Sequence, residues 1–437
     1  MDRRNSPGSD RERRSIFMER EPLGRGIKPA LVKSAILATL WLVPLLLLFL
    51  AFRFGWHAVW TAVGTPADAL PFADLRSITG AVVTLQKHGD PLVANPADPW
   101  NRAMNYPRIW LYLFSMLGID DQKVYGAGIA FGVLYLGCVS ALILRCERTL
   151  DAAILLVAGL SLAPLWAMEL GNTDLLIFFL VFLGSSVAAT ALQLGAFCAA
   201  SVLKIYPLAA LAGNAMRQSA KLKIVSLVLV AAVLGSFAWQ WRDMKEIRNS
   251  TPVSNRMAFG TLAMKAQLEE EWGAQSAYSI DAGWSILLAC WLAGAAAIAA
   301  AYKSRVPLDE TLQNSANGKV FSVFGAIYVF SFAIGSNWDY RLIFLLPTLP
   351  FVLEMIRSRA HRRWAVAYVA AVMVAENPLD LRSIRGTALS HLTTFFLFLM
   401  VLAILTQQYK ALLQKRENWG LGKATEVCAG AERPSGA

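Results

Sequence analysis

Residues 34–52 read SAILATLWLVPLLLLFLAF, an apolar run of 19 residues that lies between Lys33 and Arg53. An α-helix rises about 1.5 Å per residue, so this run is nearly long enough to cross the ~30 Å hydrocarbon core of a bilayer. It is longer than the apolar part of a signal peptide, and no small-residue cleavage site follows it. We therefore expect a first membrane span that the mature protein retains.

The rest of the chain has the same character. Its 437 residues are 56% hydrophobic and only 16% charged, whereas soluble domains are roughly 25% charged. Further apolar runs follow at about residues 124–144, 152–169, 175–191, 194–213, 224–241, 283–302, 319–336, 342–356, 364–376 and 389–406. These runs predict an all-α polytopic membrane protein.

Basic residues between the runs predict its orientation, because the cytoplasmic loops of membrane proteins carry an excess of Lys and Arg. With the N-terminus inside, the six inner segments hold 26 of the 41 Lys and Arg residues. These segments are residues 1–33, 145–151, 214–223, 303–319, 357–363 and 407–437. Topology therefore explains the net charge of +11 better than a nucleic-acid partner does. We expect about ten transmembrane helices and two cytoplasmic termini.

This topology divides the chain into three parts. Residues 1–33 are predicted to be a disordered basic cytoplasmic arm, 34–406 the transmembrane domain, and 407–437 a cytoplasmic tail. Two outer loops of the transmembrane domain are large, residues 54–123 and 242–282.

Two apolar stretches do not fit simple spans. Residues 109–118 are too few to cross the hydrocarbon core, so we expect a re-entrant or interfacial segment there. The run 194–213 is interrupted by Lys204 and Pro207. It is predicted to be a broken hairpin, whose irregular backbone is tolerated only beside a cavity enclosed by protein.

The first outer loop contains a helical pattern that starts at Asp74 and ends at Gly89. Its apolar residues recur with the spacing of a helix that is apolar on one side, namely Leu75, Ile78, Val82 and Leu85. We predict an amphipathic helix in the membrane interface, with Asp74 as its N-cap. The Asp74 carboxylate can serve as a cap, worth about 1 kcal/mol, as a catalytic base, or as both.

Other polar residues are predicted to lie on the same outer face. Asn172 and Asp174 lie in one hairpin turn, and residues 337–341 form another. Both stretches can also be read as ordinary polar turns. Lys204 is harder to explain in that way, because a cation inside an apolar run is costly and usually paired or functional.

Together these segments bring acids, cations and aromatic rings to one membrane face, a mixture that suits transfer of a sugar from a lipid phosphate. A carboxylate takes the proton of the attacking hydroxyl, and cations stabilise the departing phosphate. We assign Asp74 as the base and Lys204, Arg341 and Arg108 as phosphate-binding residues. The predicted substrate-binding residues are Arg76, Tyr106, Asn172, Asp174, Tyr206, Asn337, Asp339 and Tyr340, with Trp110 and Trp338 as further aromatic planes.

The sequence does not favour a metal, a disulfide framework or a nucleotide cofactor. The four His residues are scattered without ligand spacing, and the five Cys residues lie in or beside apolar runs or in the tail. No Gly-rich loop of the kind that holds phosphates is present. We expect no metal and no cofactor.

The order of these motifs resembles that of the GT-C superfamily of glycosyltransferases, which use polyprenyl-phosphate sugars. The resemblance covers about residues 34–356 and includes Gly-Asn-x-Asp at 171–174, Lys-x-Tyr-Pro at 204–207 and Asn-x-x-Tyr-Arg at 337–341. Within this superfamily, the motifs look most like those of the branch that includes the bacterial mannosyltransferases acting on phosphatidylinositol mannosides.

The resemblance implies a GT-C-like helical bundle in a bacterial plasma membrane. It also implies inverting transfer of a mannose-like hexose to a lipid or glycan acceptor on the non-cytoplasmic face. The first-loop acid of the family matches Asp74, its lipid-phosphate cation Lys204 and its late basic residue Arg341. Asp68 is a competing base, and Arg108 replaces the second proline of the usual Tyr-Pro-Pro, which leaves the acceptor side open.

Two other classes of protein are compatible with these residues. A transporter or flippase for a lipid-linked or anionic solute would use the same cations, but with charged residues near mid-span and related halves. A structural partner in a glycan-assembly complex would tolerate substitution of Asp74, Lys204 and Arg341.

Overall fold

The computed structural model describes residues 29–252, 254, 256–271, 277–304, 308–377 and 384–431. The predicted cytoplasmic arm therefore lies outside the described residues, apart from 29–33, which begin the first helix. The elements are α1 Pro29–Phe54, α2 Trp56–Ala62, α3 Ala73–Gln86, α4 Ile109–Met116, α5 Val124–Arg145, α6 Thr149–Gly159, α7 Leu162–Leu170, α8 Asp174–Ser186, α9 Thr190–Leu203, α10 Leu208–Ala215, α11 Ala220–Trp239, α12 Trp241–Ser250, β1 Ala258–Phe259, α13 Thr261–Glu271, α14 Ala277–Lys303, α15 Glu310–Asn314, α16 Ala316–Ile334, β2 Asn337–Trp338, a 3₁₀ helix Asp339–Thr348, α17 Leu349–Ile356, α18 Arg362–Glu376 and α19 Ile384–Ala431.

The chain is mostly helical, as predicted for an all-α membrane protein. Within the described ranges, six helices are long and apolar enough to cross a membrane, namely α1, α5, α11, α14, α16 and α19. The pair α6 and α7, which is bent by 46°, makes a seventh if it is one span. The remaining predicted runs form shorter helices, and α19 continues without a break past residue 406, where we placed the start of the tail.

Segments that we predicted to be cytoplasmic lie together in the structure. Lys33 donates a hydrogen bond to the backbone carbonyl of Cys146. Arg357 forms ion pairs with Glu147 at 2.8 Å and Asp151 at 3.1 Å. Lys33 and the segments 145–151 and 357–363 therefore share one face of the protein.

The other predicted inner segments join the same face through further contacts. Arg217 donates to the carbonyl of Gln313, and Lys410 donates to the carbonyl of Ser304 at 3.1 Å. A hydrogen bond from the side chain of Asn317 to the carboxylate of Glu354 connects residues 303–319 to α17, the helix that precedes 357–363. We call this side of the molecule the basic face.

The first outer loop lies at the opposite end of the bundle. Arg76 of α3 pairs with Asp121, which lies just before α5, and α5 ends at Arg145 on the basic face. A helix of 22 residues spans about 33 Å. Residues 54–123 are thus separated from the basic face by roughly the thickness of a membrane.

The prediction that Asp74 is the N-cap of α3 is wrong. The N-cap is Phe72, whose φ of 60° is in the left-handed region, and Asp74 lies in the first turn. Its carboxylate instead accepts a hydrogen bond from the side chain of Asn172. The amide on the α7–α8 turn takes the place of the backbone N–H groups that a capping residue would bind.

The prediction that α3 is a surface helix in the membrane interface is also wrong, because α3 is buried on nearly all sides. Residues 90–104, which we call the covering loop, pack against its polar side. Asn95 of this loop donates to the carbonyl of Ser77 and accepts from Thr84, both at 2.9 Å. The loop thus satisfies the polar groups that we expected to face water.

The interrupted run 194–213 is broken, as predicted. α9 ends at Leu203 and α10 begins at Leu208. The short helix α4 packs against this break, where the indole N–H of the fully buried Trp110 donates to the carbonyl of Leu203 at 3.0 Å. α4 has only eight residues, so it covers the break rather than crossing the bilayer.

Replacing Gly80 with alanine is expected to destabilise the protein. The new Cβ would lie 2.8 Å from the amide nitrogen of Asp98, so α3 and the covering loop would have to separate. Overpacking of this kind costs about 1–3 kcal/mol. The measurement is the midpoint of thermal unfolding in detergent.

Gly137→Ala in α5 is the matched control, because nothing lies within 4 Å of its added Cβ. Alanine favours the helix over glycine by roughly 0.5–1 kcal/mol, so this variant should be as stable as the parent or more stable. Equal midpoints for the two variants would contradict the close approach of α3 to the covering loop.

Candidate functional site

The carboxylate of Asp174 organises a cluster of charged groups. It lies fully buried in the first turn of α8, where the helix dipole favours a negative charge. It accepts hydrogen bonds from Lys204 Nζ, from the Tyr206 hydroxyl at 2.7 Å and from Arg341 Nε at 2.9 Å. Burying an ionised carboxylate is costly unless such partners compensate its charge. We call Asp174, Lys204, Tyr206 and Arg341 the ion cluster.

The local sequence explains why Lys204 can reach Asp174. Pro207 lacks a backbone N–H and disfavours a helical conformation in the residue before it. α9 therefore stops, and Lys204 is extended, with φ −150° and ψ 143°. Its ammonium group lies 5.1 Å from the centre of the Tyr106 ring, a favourable cation–π distance.

Arg341 approaches the same carboxylate from the 3₁₀ helix. Its guanidinium lies 5.1 Å from the centre of the Tyr206 ring and donates to Asn337 Oδ1 at 2.7 Å. Both Lys204 and Arg341, which we predicted to bind the donor phosphate, thus contact Asp174 directly.

Asn172 connects the ion cluster to Asp74. It follows Gly171, whose φ of 59° ends α7 in the left-handed region that favours glycine. Its side-chain oxygen accepts from the backbone N–H of Asp174 at 2.7 Å, and its side-chain N–H donates to the Asp74 carboxylate. The amide therefore fixes both acids relative to one turn.

Asp74 borders a cavity of about 560 Å³ on the side of the protein opposite the basic face. Its walls come from the first outer loop, from α7, from the second outer loop and from the connection at residues 337–341. The lining residues include Asp68, Asp74, Ser77, Arg102, Asn105, Tyr106, Trp166, Ser250, Pro252, Met257, Trp338 and Tyr340. Two acids, one cation and four aromatic rings therefore border the same space.

Arg102 is a cation at this cavity that the sequence analysis missed. The carboxylate of Asp98 holds its guanidinium with hydrogen bonds of 2.9 and 3.1 Å, and Arg102 also donates to the carbonyl of Ala73 at 2.6 Å. Its side chain is 36% exposed, compared with 9% for Lys204. The only sequence signal was an arginine shortly before Tyr106 in a polar loop.

The two candidate bases differ in their surroundings. Burial raises the pKa of Asp74 above its usual range, while the charges of Arg102 and Lys204 and the hydrogen bond from Asn172 oppose that rise. Burial also raises the pKa of Asp68, and Arg102 opposes it. Of the two carboxylates, Asp74 is the one held by a neighbouring side chain that favours its ionised form.

Two predicted site residues make contacts away from the cavity. Arg76 donates to Asp121 at 2.9 Å and to the carbonyl of Pro71 at 2.8 Å. Arg108 pairs with Asp90 at 2.9 Å and with Asp243 at 2.7 Å, and so joins the two outer loops. Their observed role is to hold the outer loops together.

The remaining predicted residues surround the ion cluster or lie beside it. Asn337 accepts from Arg341 and donates to the carbonyl of Ser331 at 2.7 Å. Asp339 is buried, and within the described part of the chain neither of its carboxylate oxygens has a hydrogen-bond partner. Tyr106 and Tyr340 line the cavity.

No protein-family model, curated protein or solved structure matches this chain. Its function must therefore be inferred from the site.

Asp174→Asn is expected to destabilise the protein, because the buried Lys204 and the largely buried Arg341 would lose their carboxylate. Breaking a buried ion pair by removing one partner costs about 3–5 kcal/mol. Adding Lys204→Met should restore part of the loss, since it removes one of the unpaired cations. The measurement is a double-mutant cycle on thermal unfolding in detergent.

The control is Arg256→Gln, which breaks a pair with Glu270 in which both side chains are about half exposed. Such surface pairs contribute about 0–1 kcal/mol, so little change is expected. Strictly additive effects of Asp174→Asn and Lys204→Met would contradict a stabilising ion cluster.

Proposed function

We propose that the protein is a membrane glycosyltransferase of the GT-C type, which moves a mannose-like hexose from a polyprenyl-phosphate donor to a lipid or glycan acceptor. The observation that carries this proposal is the position of Asp74, a carboxylate held by Asn172 at the wall of a 560 Å³ cavity. The volume falls in the range of small-molecule sites. The cation and the aromatic rings of the same cavity match the two ends of a sugar phosphate.

In the proposed reaction Asp74 is the general base. The acceptor oxygen attacks the anomeric carbon, and the bond from that carbon to the phosphate oxygen breaks with inversion. Asp74 takes the hydroxyl proton, and the polyprenyl phosphate leaves with the electron pair of the broken bond. A positioned base contributes typically about 10²–10⁴-fold to such a step.

Arg102 is our preferred partner for the departing phosphate. Its guanidinium borders the cavity and its side chain is 36% exposed, although Asp98 already holds two of its N–H groups. Lys204 and Arg341 are paired with Asp174 and are only 9% and 20% exposed. Lys204 and Arg341 then have a positioning role. They hold the carboxylate of Asp174, and the backbone N–H of Asp174 in turn binds the side chain of Asn172. This revises our assignment of the phosphate-binding residues.

The aromatic rings at the cavity suit a sugar ring. Trp166 packs edge-on against Tyr340 at 5.2 Å and against Trp338 at 5.9 Å, and Trp338 stacks with Tyr340 at 6.5 Å. Such a rigid aromatic wall offers flat apolar faces to the C–H groups of a hexose. Asn105 and Ser77 supply polar groups for its hydroxyls.

We further propose that the cavity faces the outside of a bacterial plasma membrane, with about ten spans and both termini cytoplasmic. The grouping of the basic segments on the other face supports this orientation. α8 and α9 have 13 and 14 residues, or about 20 Å each. If both helices have their inner ends at the cytoplasmic surface, their outer ends, where Asp174 and Lys204 lie, do not reach the outer surface of a ~30 Å hydrocarbon core. The ion cluster would then lie within the membrane.

A transporter or flippase is the second candidate, and the burial of the ion cluster is the observation that favours it. Charged groups that face the interior of a membrane bundle are typical of ion and substrate pathways. A transporter would move the polyprenyl-phosphate sugar across vesicles without forming a glycosidic bond.

Asp74→Asn should abolish sugar transfer while it leaves the fold intact, because asparagine keeps the shape and can still accept from Asn172. The assay uses purified protein in proteoliposomes with radiolabelled polyprenyl-phosphate mannose and a phosphatidylinositol mannoside acceptor. We expect a loss of at least about 100-fold in rate, as for removal of a general base.

Asp68→Asn is the matched control on the same cavity wall, and it should cost less than about tenfold. The reverse pattern would move the base to Asp68. Full transfer by both folded variants, or movement of the donor with no transfer by the parent protein, would overturn the proposal.

The acid limb of the pH–rate profile should move to higher pH in Arg102→Gln. The base must be ionised, and the charge of Arg102 favours the ionised form, so its removal raises the pKa of Asp74 further. Transfer would then be lost at a higher pH as the solution is acidified. The measurement is kcat/KM for the same donor as a function of pH.

Arg76→Gln removes an equal charge from α3, the helix that carries Asp74, but from the side that pairs with Asp121. Its acid limb should coincide with that of the parent. An unchanged limb in Arg102→Gln would contradict an electrostatic link between Arg102 and the base.

A further inference from the structure

A second cavity lies at the basic face, far from Asp74. It is a groove of about 430 Å³ between α14, α18 and α19. Small and apolar side chains form most of its lining, and Ser304 and His361 mark the end nearest the basic face. The lining residues include Ala297, Ala300, Ala301, Trp364, Ala365, Phe396, Leu399, Met400 and Ala403.

The lining of the groove suits a fatty acyl chain. α14 presents alanines at 297, 300 and 301, and these lie opposite the larger side chains of α19. Helices that meet through small residues normally pack closely, whereas here a channel remains beside them. Trp364 lines the groove and is 62% exposed. Tryptophan is typically found in such positions at the level of the lipid headgroups.

Unpaired positive charge stands at the end of the groove. Arg359, Arg362 and Arg363 are exposed, and their side chains form no ion pair with any part of the chain that the structure describes. Arg357, the neighbouring arginine, is instead neutralised by Glu147 and Asp151. Arg362 and Arg363 directly precede Trp364, which lines the groove.

We propose that this groove binds one anionic phospholipid, with an acyl chain between α14 and α19 and the phosphate headgroup at Arg359, Arg362 and Arg363. Charge complementarity selects this occupant: a zwitterionic lipid would leave the three arginines without net neutralisation. Arginine is also suited to a phosphate because its planar guanidinium can donate two parallel hydrogen bonds. The site is separate from the proposed transfer site, since it lies at the opposite face.

The bound lipid would fix α18 against α14 and α19. α18 follows the 357–363 segment directly, and its other neighbours include the 3₁₀ helix that carries Arg341. Occupancy of the groove would therefore stabilise the packing that supports the ion cluster.

The test compares lipids on the full-length protein. Purified protein in detergent is titrated with phosphatidylglycerol or phosphatidylcholine of the same acyl chains, and bound lipid is counted by native mass spectrometry. We expect one tightly held phosphatidylglycerol and at least about tenfold weaker binding of phosphatidylcholine. Arg359→Gln/Arg362→Gln/Arg363→Gln should remove this preference, since each basic residue near a membrane surface contributes appreciably to anionic lipid binding.

Two further variants separate the site from general electrostatics. Arg242→Gln/Lys245→Gln/Arg248→Gln removes the same charge from α12 on the opposite side and should leave binding unchanged. Ala300→Trp keeps all the arginines but fills the groove, and it should weaken phosphatidylglycerol binding by at least about tenfold if the acyl chain contributes as expected from its buried area.

The outcomes are decisive in either direction. Equal affinity of the parent for the two lipids, or an equal loss in the α12 variant, would overturn the proposal. If the arginine triple variant does not fold, Ala300→Trp decides. Unchanged phosphatidylglycerol binding in that variant would show that the lipid does not bind in the groove. Sugar transfer is not measured, so failure of this proposal is independent of the proposed transferase function.

Discussion

The structure depends on the burial of one carboxylate. The ionised Asp174 can lie inside an apolar bundle because Lys204, Tyr206 and Arg341 converge on it. Together with Asp174, these residues come from three different places in the chain. The requirement fixes the start of α8, the break between α9 and α10 and the 3₁₀ helix relative to one another. A membrane bundle with few charges thus concentrates several of them at the point where its helices are least regular.

The irregular backbone and the cavity belong together. Lipid cannot satisfy the backbone groups released at the break after Leu203, so protein must cover them. α4 provides the cover, with the indole of Trp110 on the carbonyl of Leu203. Arg108 joins the two outer loops through Asp243, and the pairing of β1 with β2 joins the second outer loop to the connection at residues 337–341. The space that remains beneath them is the cavity of Asp74.

Much of this architecture could be predicted from sequence, for reasons that are physical. Long apolar runs and the placement of basic residues gave the helices and the grouping of the segments on the basic face, and Lys204 with Pro207 marked the break. The surroundings of α3 could not be predicted in the same way. Its amphipathic pattern is the same whether its polar side meets water or the covering loop, and only the tertiary structure places Asn95 against Ser77.

The candidate site shows the same limit at the level of single residues. Polar residues at hairpin turns predicted that Asn172, Asp174 and Arg341 would share a face, and they do. Sequence could not tell which cations would already be paired. Arg102 was missed because nothing local distinguishes an arginine whose guanidinium borders a cavity from one that is solvated.

The link through Asn172 has an electrical consequence. With Asp74 ionised, the two acids Asp74 and Asp174 balance the two cations Lys204 and Arg341, and the group as a whole is neutral. A proton that arrives on Asp74 leaves the same group with one excess positive charge. In the proposed reaction that change coincides with the appearance of negative charge on the departing phosphate, so the act of accepting the proton would itself make the site more attractive to the leaving group.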